Sequence, residues 1–261
     1  MYKIFDTVDE VSRYTAQRLL NKVQAKPSAV LGLATGSTMK PVYAQLIEFL
    51  QQAPADLSQL TTFNLDEYMG LSGEHAQSYS YYMCEHLFNK LSIPGHRVNL
   101  PDGMAEDVEC ACQTYSEAIQ AMGGLDLQLL GIGSNGHIGF NEPLTSFSSR
   151  THVVKLSEQT RIDNGRFFAD QNEVPTHAIT MGIQDILEAK EIILVATGSN
   201  KAHIMAELFH SAIDEALPAS ALWQHRNVTI VLDAEAAVLL RKSAWAEDSR
   251  VGLQGPIRLS A

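Results

Sequence analysis

Short apolar runs, each closed by a polar or glycine-containing turn and followed by a helical period, recur along the chain. Ala29–Ala34 is continuously apolar and bounded by turn residues, the pattern of a strand buried on both faces of a parallel sheet. Leu125, Leu127, Leu129 and Leu130 look like a buried strand, Glu191–Ala196 is a strongly apolar one and Asn227–Leu232 is the last, with further strand candidates at Tyr2–Phe5, Thr61–Leu65, His152–Leu156 and His177–Met181. Between them, Asp9–Val23 sets Val11, Tyr14, Leu19 and Val23 at helical spacing, and Lys26-Pro27 stops that helix. The same period predicts helices over Met39–Gln51, Ser78–Leu91 and Ala105–Met122. Others run from Met181 to Ala189, from Lys201 to Phe209 and behind Asp233, and Ser157–Asp170 is polar and partly helical. Strand and helix alternate without a linker or low-complexity tract, which predicts one α/β domain over residues 1–261. Its centre is a doubly wound, mostly parallel sheet with helices on both faces.

Composition narrows the class. Hydrophobic residues make up 45% of the chain and charged ones 19%, ordinary for a globular protein. A formal net charge of −11 argues against nucleic acid or an anionic membrane as partner, so an anionic ligand needs a local cluster of donors. Cys84, Cys110 and Cys112 form an odd count without a framework spacing, as expected of reduced thiols in a cytoplasmic protein. Met1–Glu10 carries charges where a signal peptide needs an apolar core, and no apolar run is long enough to span a bilayer.

The chemistry concentrates where strands end. Gly131–Pro143 reads Gly-Ile-Gly-Ser-Asn-Gly-His-Ile-Gly-Phe-Asn-Glu-Pro directly after a predicted strand. Its glycines allow close backbone approach to a ligand, and His137 and Glu142 are proton-transfer groups. Gly131-x-Gly133-x-x-Gly136 matches a dinucleotide fingerprint in letters only. Gly139 and Pro143 interrupt the helix that motif requires, so no nicotinamide cofactor is expected. His137 and Glu142, with His152 or His75, lack metal-ligand spacing, and no metal is expected. A phosphate site fits better: Thr35, Gly36, Ser37 and Thr38 join a strand to a helix, where free amides meet anions. Ala34–Ser37 recurs as Ala196–Ser199 in the same context, suggesting two turns with one job, and Lys201 adds a cation to the second. On spacing alone Lys201 and Arg166 also fit a solvated surface. Asp66, at the end of the Thr61–Leu65 strand, also fits a cap or turn.

Together these segments resemble the glucosamine-6-phosphate deaminase (isomerase) family over nearly the whole chain. The likeness is carried by Leu31–Thr38, Thr62–Tyr68, Gly131–Pro143, Ser149–Thr151, Gly165–Phe168 and Gly198–Lys201. The resemblance implies a Rossmann-like fold and conversion of D-glucosamine 6-phosphate and water to D-fructose 6-phosphate and ammonia, without cofactor or metal. It implies ring opening by His137 with Asn135 and Glu142, and proton abstraction at C2 by Asp66. It further implies a phosphate cradle of Thr35–Thr38, Arg166 and Lys201, and a mobile lid over about 156–178. A 6-phosphogluconolactonase-like hydrolase and a non-catalytic sugar-phosphate sensor are the alternatives; a sensor would want an attached DNA-binding domain. The chain departs from the family's pattern in three places. Asn135 stands where some members carry Asp, Leu144 replaces a usual glycine, and His152 and Val154 stand where allosteric members are basic. The last departure implies no activation by N-acetylglucosamine 6-phosphate.

Overall fold

The computed structural model describes residues 1–165, 168, 170 and 173–240. Its frame is a seven-stranded, wholly parallel sheet in the order β1-β10-β9-β6-β2-β3-β5. The strands are β1 (Tyr2–Phe5), β2 (Val30–Leu33), β3 (Thr61–Asn64), β5 (Val98–Asn99), β6 (Leu127–Leu130), β9 (Ile192–Ala196) and β10 (Val228–Asp233). Every residue of β2, β3, β6, β9 and β10 is buried, because layers cover both faces of the sheet. The chain winds outward from β2 through β3 to β5, then restarts on the other side of β2 with β6. That reversal opens a crevice above the carboxyl ends of β2 and β6, where doubly wound sheets bind ligands. The Thr35–Thr38 turn leaves β2 there, and the Gly131–Pro143 turn leaves β6.

Helices α1 (Val8–Ala25), α2 (Met39–Gln52), α3 (Tyr79–His86), α4 (Val108–Ala121), α5 (Glu158–Gly165), α6 (Ile183–Leu187) and α7 (Ala202–His210) surround the sheet. Local chemistry sets their ends. Thr7 and Glu10 form a reciprocal capping box that starts α1, and the Asp107 side chain accepts the Cys110 N–H to start α4. The helix expected behind Asp233 lies mostly outside the described residues. No described helix is long and apolar enough to cross a membrane.

The structure adds a second sheet to the predicted one. β4 (Asp66–Tyr68), β8 (His177–Thr180) and β7 (His152–Lys155) pair antiparallel in the order β4-β8-β7. The physical reason lies in β7, whose residues alternate between half-buried and exposed and so cannot fill an interior parallel strand. Tyr68, Phe140, Leu156 and Ala178 form a small separate core on this sheet. Its consequence for the site is direct. The chain leaves β3 at Leu65, and Asp66 enters a new strand held against Thr180 at the mouth of the crevice.

Candidate active site

A cleft of about 540 Å³ fills the crevice. Thr35–Thr38, Asp66, His137, Gly139 and Lys201 line it, so residues more than a hundred positions apart in sequence share one space. Arg166 lies outside the described residues, as does part of the expected lid at about 156–178.

His137 stands at the cleft end of a hydrogen-bonded chain. The Asn135 amide donates from Nδ2 to Glu142 Oε2 at 2.7 Å, and its Oδ1 lies 2.7 Å from His137 Nδ1 and 3.3 Å from the His137 N–H. A carboxylate only accepts, so Asn135 must turn its NH2 toward Glu142 and its oxygen toward the imidazole. That orientation requires Nδ1 to carry the proton, so in the neutral imidazole Nε2 is the basic nitrogen. Glu142 Oε2 itself is 3.9 Å from Nδ1, beyond direct hydrogen-bonding distance. The ring lies directly over the Gly133 α-carbon. A β-carbon there would fall 2.1 Å from His137 Cε1, which is why the turn needs glycine at that point.

Asp66 reaches the cleft from the opposite wall. The neighbouring Gly139, at φ +58°, has no side chain to block it: a β-carbon there would sit 2.9 Å from Thr180 Oγ1 and 3.6 Å from Asp66 Oδ2. Asp66 is only 6% exposed, and no hydrogen bond from the described residues reaches its carboxyl. Burial, reinforced by the charge of Glu67, pushes its pKa up to about 8. Glu67 points away into the amino end of α3, accepting N–H groups from Tyr68 at 2.9 Å, Tyr79 at 2.9 Å and Ser80 at 2.8 Å. Burial raises its pKa too, while those three donors oppose the rise. A carboxyl that titrates near neutral pH and has no competing partner is equipped to take a proton from carbon.

The two similar turns divide their labour rather than repeat it. In the first, Thr38 makes no side-chain cap bond, and the Met39 N–H donates to the Gly36 carbonyl at 3.1 Å. Its Gly36 carbonyl accepts the Tyr82 hydroxyl at 2.7 Å, which braces the turn. In the second, two of the amides are already engaged by the protein. Gly198 N–H donates to the Asp233 carboxylate at 3.0 Å and Ser199 N–H to Glu235 Oε2 at 3.2 Å. Those amides are already satisfied by the protein, and the turn's contribution to the cleft is Lys201, with Thr197 and Asn200.

Sequence reasoning missed several residues that touch this machinery. Ser157 and Thr160 bind Glu142, Glu67 sits behind Asp66, and Leu217 packs where a Gly136 β-carbon would fall. Only Glu67 had a signal, its adjacency to Asp66; the others arrive from distant segments. His152 and Val154, the departures noted above, are part of β7, and His152 Nδ1 lies 2.8 Å from the Arg150 carbonyl.

Comparison with known proteins gives the chain a family. The family described as glucosamine-6-phosphate isomerases/6-phosphogluconolactonase matches residues 5–231. A glucosamine-6-phosphate deaminase of Geobacillus sp. (strain WCH70) is 50% identical over 232 residues, covering 89% of this chain and 92% of that one. Its counterpart in Alkaliphilus oremlandii (strain OhILAs) is 48% identical over 235 residues, covering 90% and 98%. The solved structure of a monomeric glucosamine-6-phosphate deaminase superposes with a TM-score of 0.90 at 46% identity, covering 91% of this chain and 99% of that one. A 6-phosphogluconolactonase from Trypanosoma cruzi, covering 92% and 97%, reaches a TM-score of 0.75 at 20% identity and shares the fold alone. The family match spans the sheet and both glycine-containing turns of the cleft and leads to one conclusion: the chain belongs to the glucosamine-6-phosphate isomerase/6-phosphogluconolactonase family.

Proposed function

We propose that this protein is a glucosamine-6-phosphate deaminase that converts D-glucosamine 6-phosphate and water to D-fructose 6-phosphate and ammonia in cytoplasmic amino-sugar catabolism. The observation that carries the reading is the pairing, across one cleft, of an oriented imidazole with a buried carboxyl that takes no hydrogen bond from the described residues. His137 Nε2 moves the proton from O1 to O5 and opens the ring, with Asn135 and Glu142 fixing its tautomer. Opening frees an aldehyde at C1, which acidifies the C2–H bond, so the scheme needs no metal or organic cofactor. Asp66 in its ionised form takes the C2 proton to give an enolamine and returns it at C1. The resulting C2 imine adds water and expels ammonia.

The phosphate is held by the Thr35–Thr38 turn and Lys201, joined by Arg166, and the segment over about 156–178 acts as a lid. His152 and Val154 offer no cationic pair for a second phosphate, so saturation is hyperbolic and indifferent to N-acetylglucosamine 6-phosphate. A lactonase needs no base for a carbon-bound proton, and the reading gives Asp66 that role. The test is a paired assay, with and without chelator, of ammonia release from D-glucosamine 6-phosphate and hydrolysis of 6-phosphogluconolactone. Chelator-insensitive ammonia release is expected; lactone hydrolysis without ammonia would overturn the reading.

A further inference from the structure

Glu142 ends the His137–Asn135 chain, yet three of the four hydrogen bonds to its carboxylate come from elsewhere. Oε2 takes the Asn135 amide, whereas Oε1 takes the Ser157 hydroxyl at 3.1 Å, the Ser157 N–H at 3.4 Å and the Thr160 hydroxyl. Ser157 also accepts the Thr160 N–H at 3.1 Å, so the two residues form one unit at the start of α5. Thr160 is 2% exposed, and Gln159, Thr160 and Asn164 of the same helix line the cleft. One short helix therefore supplies both a wall of the cleft and the donors on the far oxygen of the carboxylate.

We infer that Thr160, supported by Ser157, is a positioning residue for ring opening: it acts through Glu142 and Asn135 to hold the His137 tautomer. The inference rests on the proposed role of His137, Asn135 and Glu142. Its logic follows from the geometry. With donors on both oxygens, the Glu142 carboxylate has one orientation, and only that orientation presents Oε2 to Asn135 Nδ2. Without the Thr160 hydroxyl, Oε1 keeps only the longer Ser157 contacts at 3.1 and 3.4 Å, so the carboxylate is held less firmly against Asn135 Nδ2 and Asn135 orients the imidazole less tightly. The effect belongs to the ring-opening step and leaves binding of an already open chain alone.

The test compares Thr160→Val, which keeps the shape and removes the hydroxyl, with Thr160→Ser, which restores it, and with Glu142→Gln. Two readouts are taken: kcat and KM for D-glucosamine 6-phosphate, and inhibition by its C1-reduced, open-chain alditol, which needs no ring opening. Thr160→Val is expected to lower kcat about ten-fold or more, the effect of one lost charge-assisted hydrogen bond. KM and the alditol inhibition constant should stay within about two-fold, and Thr160→Ser should recover most of kcat. Normal kcat in Thr160→Val alongside an impaired Glu142→Gln overturns the inference and leaves the relay standing. Weakened alditol binding in step with kcat also overturns it, since Thr160 would then only shape the cleft wall. If Glu142→Gln is itself fully active, the relay reading fails and takes the inference with it.

Discussion

Replacing Asp66 by Asn should abolish turnover and, at alkaline pH, make the protein more stable. The carboxyl is 6% exposed with no hydrogen-bond partner among the described residues, and burial and Glu67 hold its pKa near 8 against an ordinary value of 3.8. In the unfolded chain it ionises at the ordinary value. Because the folded-state pKa is the higher one, the folded protein gains its full advantage only below about pH 4 and loses it as pH rises through 8. Each pH unit in which the unfolded carboxyl is ionised and the folded one is not costs ~1.4 kcal/mol. Between about pH 5 and about pH 9 the wild type should therefore lose on the order of 4 kcal/mol that the isosteric amide does not lose. Denaturant unfolding of both proteins at the two pH values measures that double difference. A difference under about 1 kcal/mol would mean that the folded-state carboxyl ionises as it does in water, and the account of Asp66 as a poised base would fail.

Three further perturbations probe the rest of the site. Asn135→Asp puts a carboxylate where an amide oxygen now lies 2.7 Å from His137 Nδ1, which favours the imidazolium. The acidic limb of the pH–rate profile should move to higher pH, and an unmoved limb would show that His137 does not act as the neutral base. Gly133→Ala drives a methyl group to within 2.1 Å of the imidazole and should cut kcat by about 10²-fold with little loss of stability; a fully active variant would contradict the ring position. Leu144 holds φ +73° while 77% exposed, so Leu144→Gly relieves strain without losing packing. The denaturant midpoint should rise by the equivalent of about 1 kcal/mol, and a lower midpoint would refute the strain argument.

The parallel sheet was legible because its strands are continuous apolar runs such as Ile192–Ala196, which only a doubly covered sheet can bury. The second sheet was not, because β4 is three residues long and the β7 pattern fits an edge strand of either sheet. β5, with two residues, is too short to carry a period. Within the site, the Gly131–Pro143 turn could be read from sequence because its parts are contiguous and the bonds from Asn135 to His137 and Glu142 are local. The twin Ala-Thr-Gly-Ser turns could not be told apart for the opposite reason. What separates them is Asp233, the last residue of β10, and Glu235 just after it, which reach the second turn, and nothing within the tetrapeptide records that. The same holds for Thr160, whose tie to Glu142 spans 18 positions and depends on how α5 docks.

The central claim is that one buried carboxyl moves a proton from C2 to C1 after His137 has opened the ring. The most direct test follows D-glucosamine 6-phosphate carrying deuterium at C2, with ammonia measured as it forms and the product analysed by NMR. The account predicts one ammonia per D-fructose 6-phosphate, slower release than from the unlabelled sugar, and deuterium at C1 in part, diluted by exchange at Asp66. Ammonia released with the deuterium still on C2, or turnover with no ammonia at all, would contradict it.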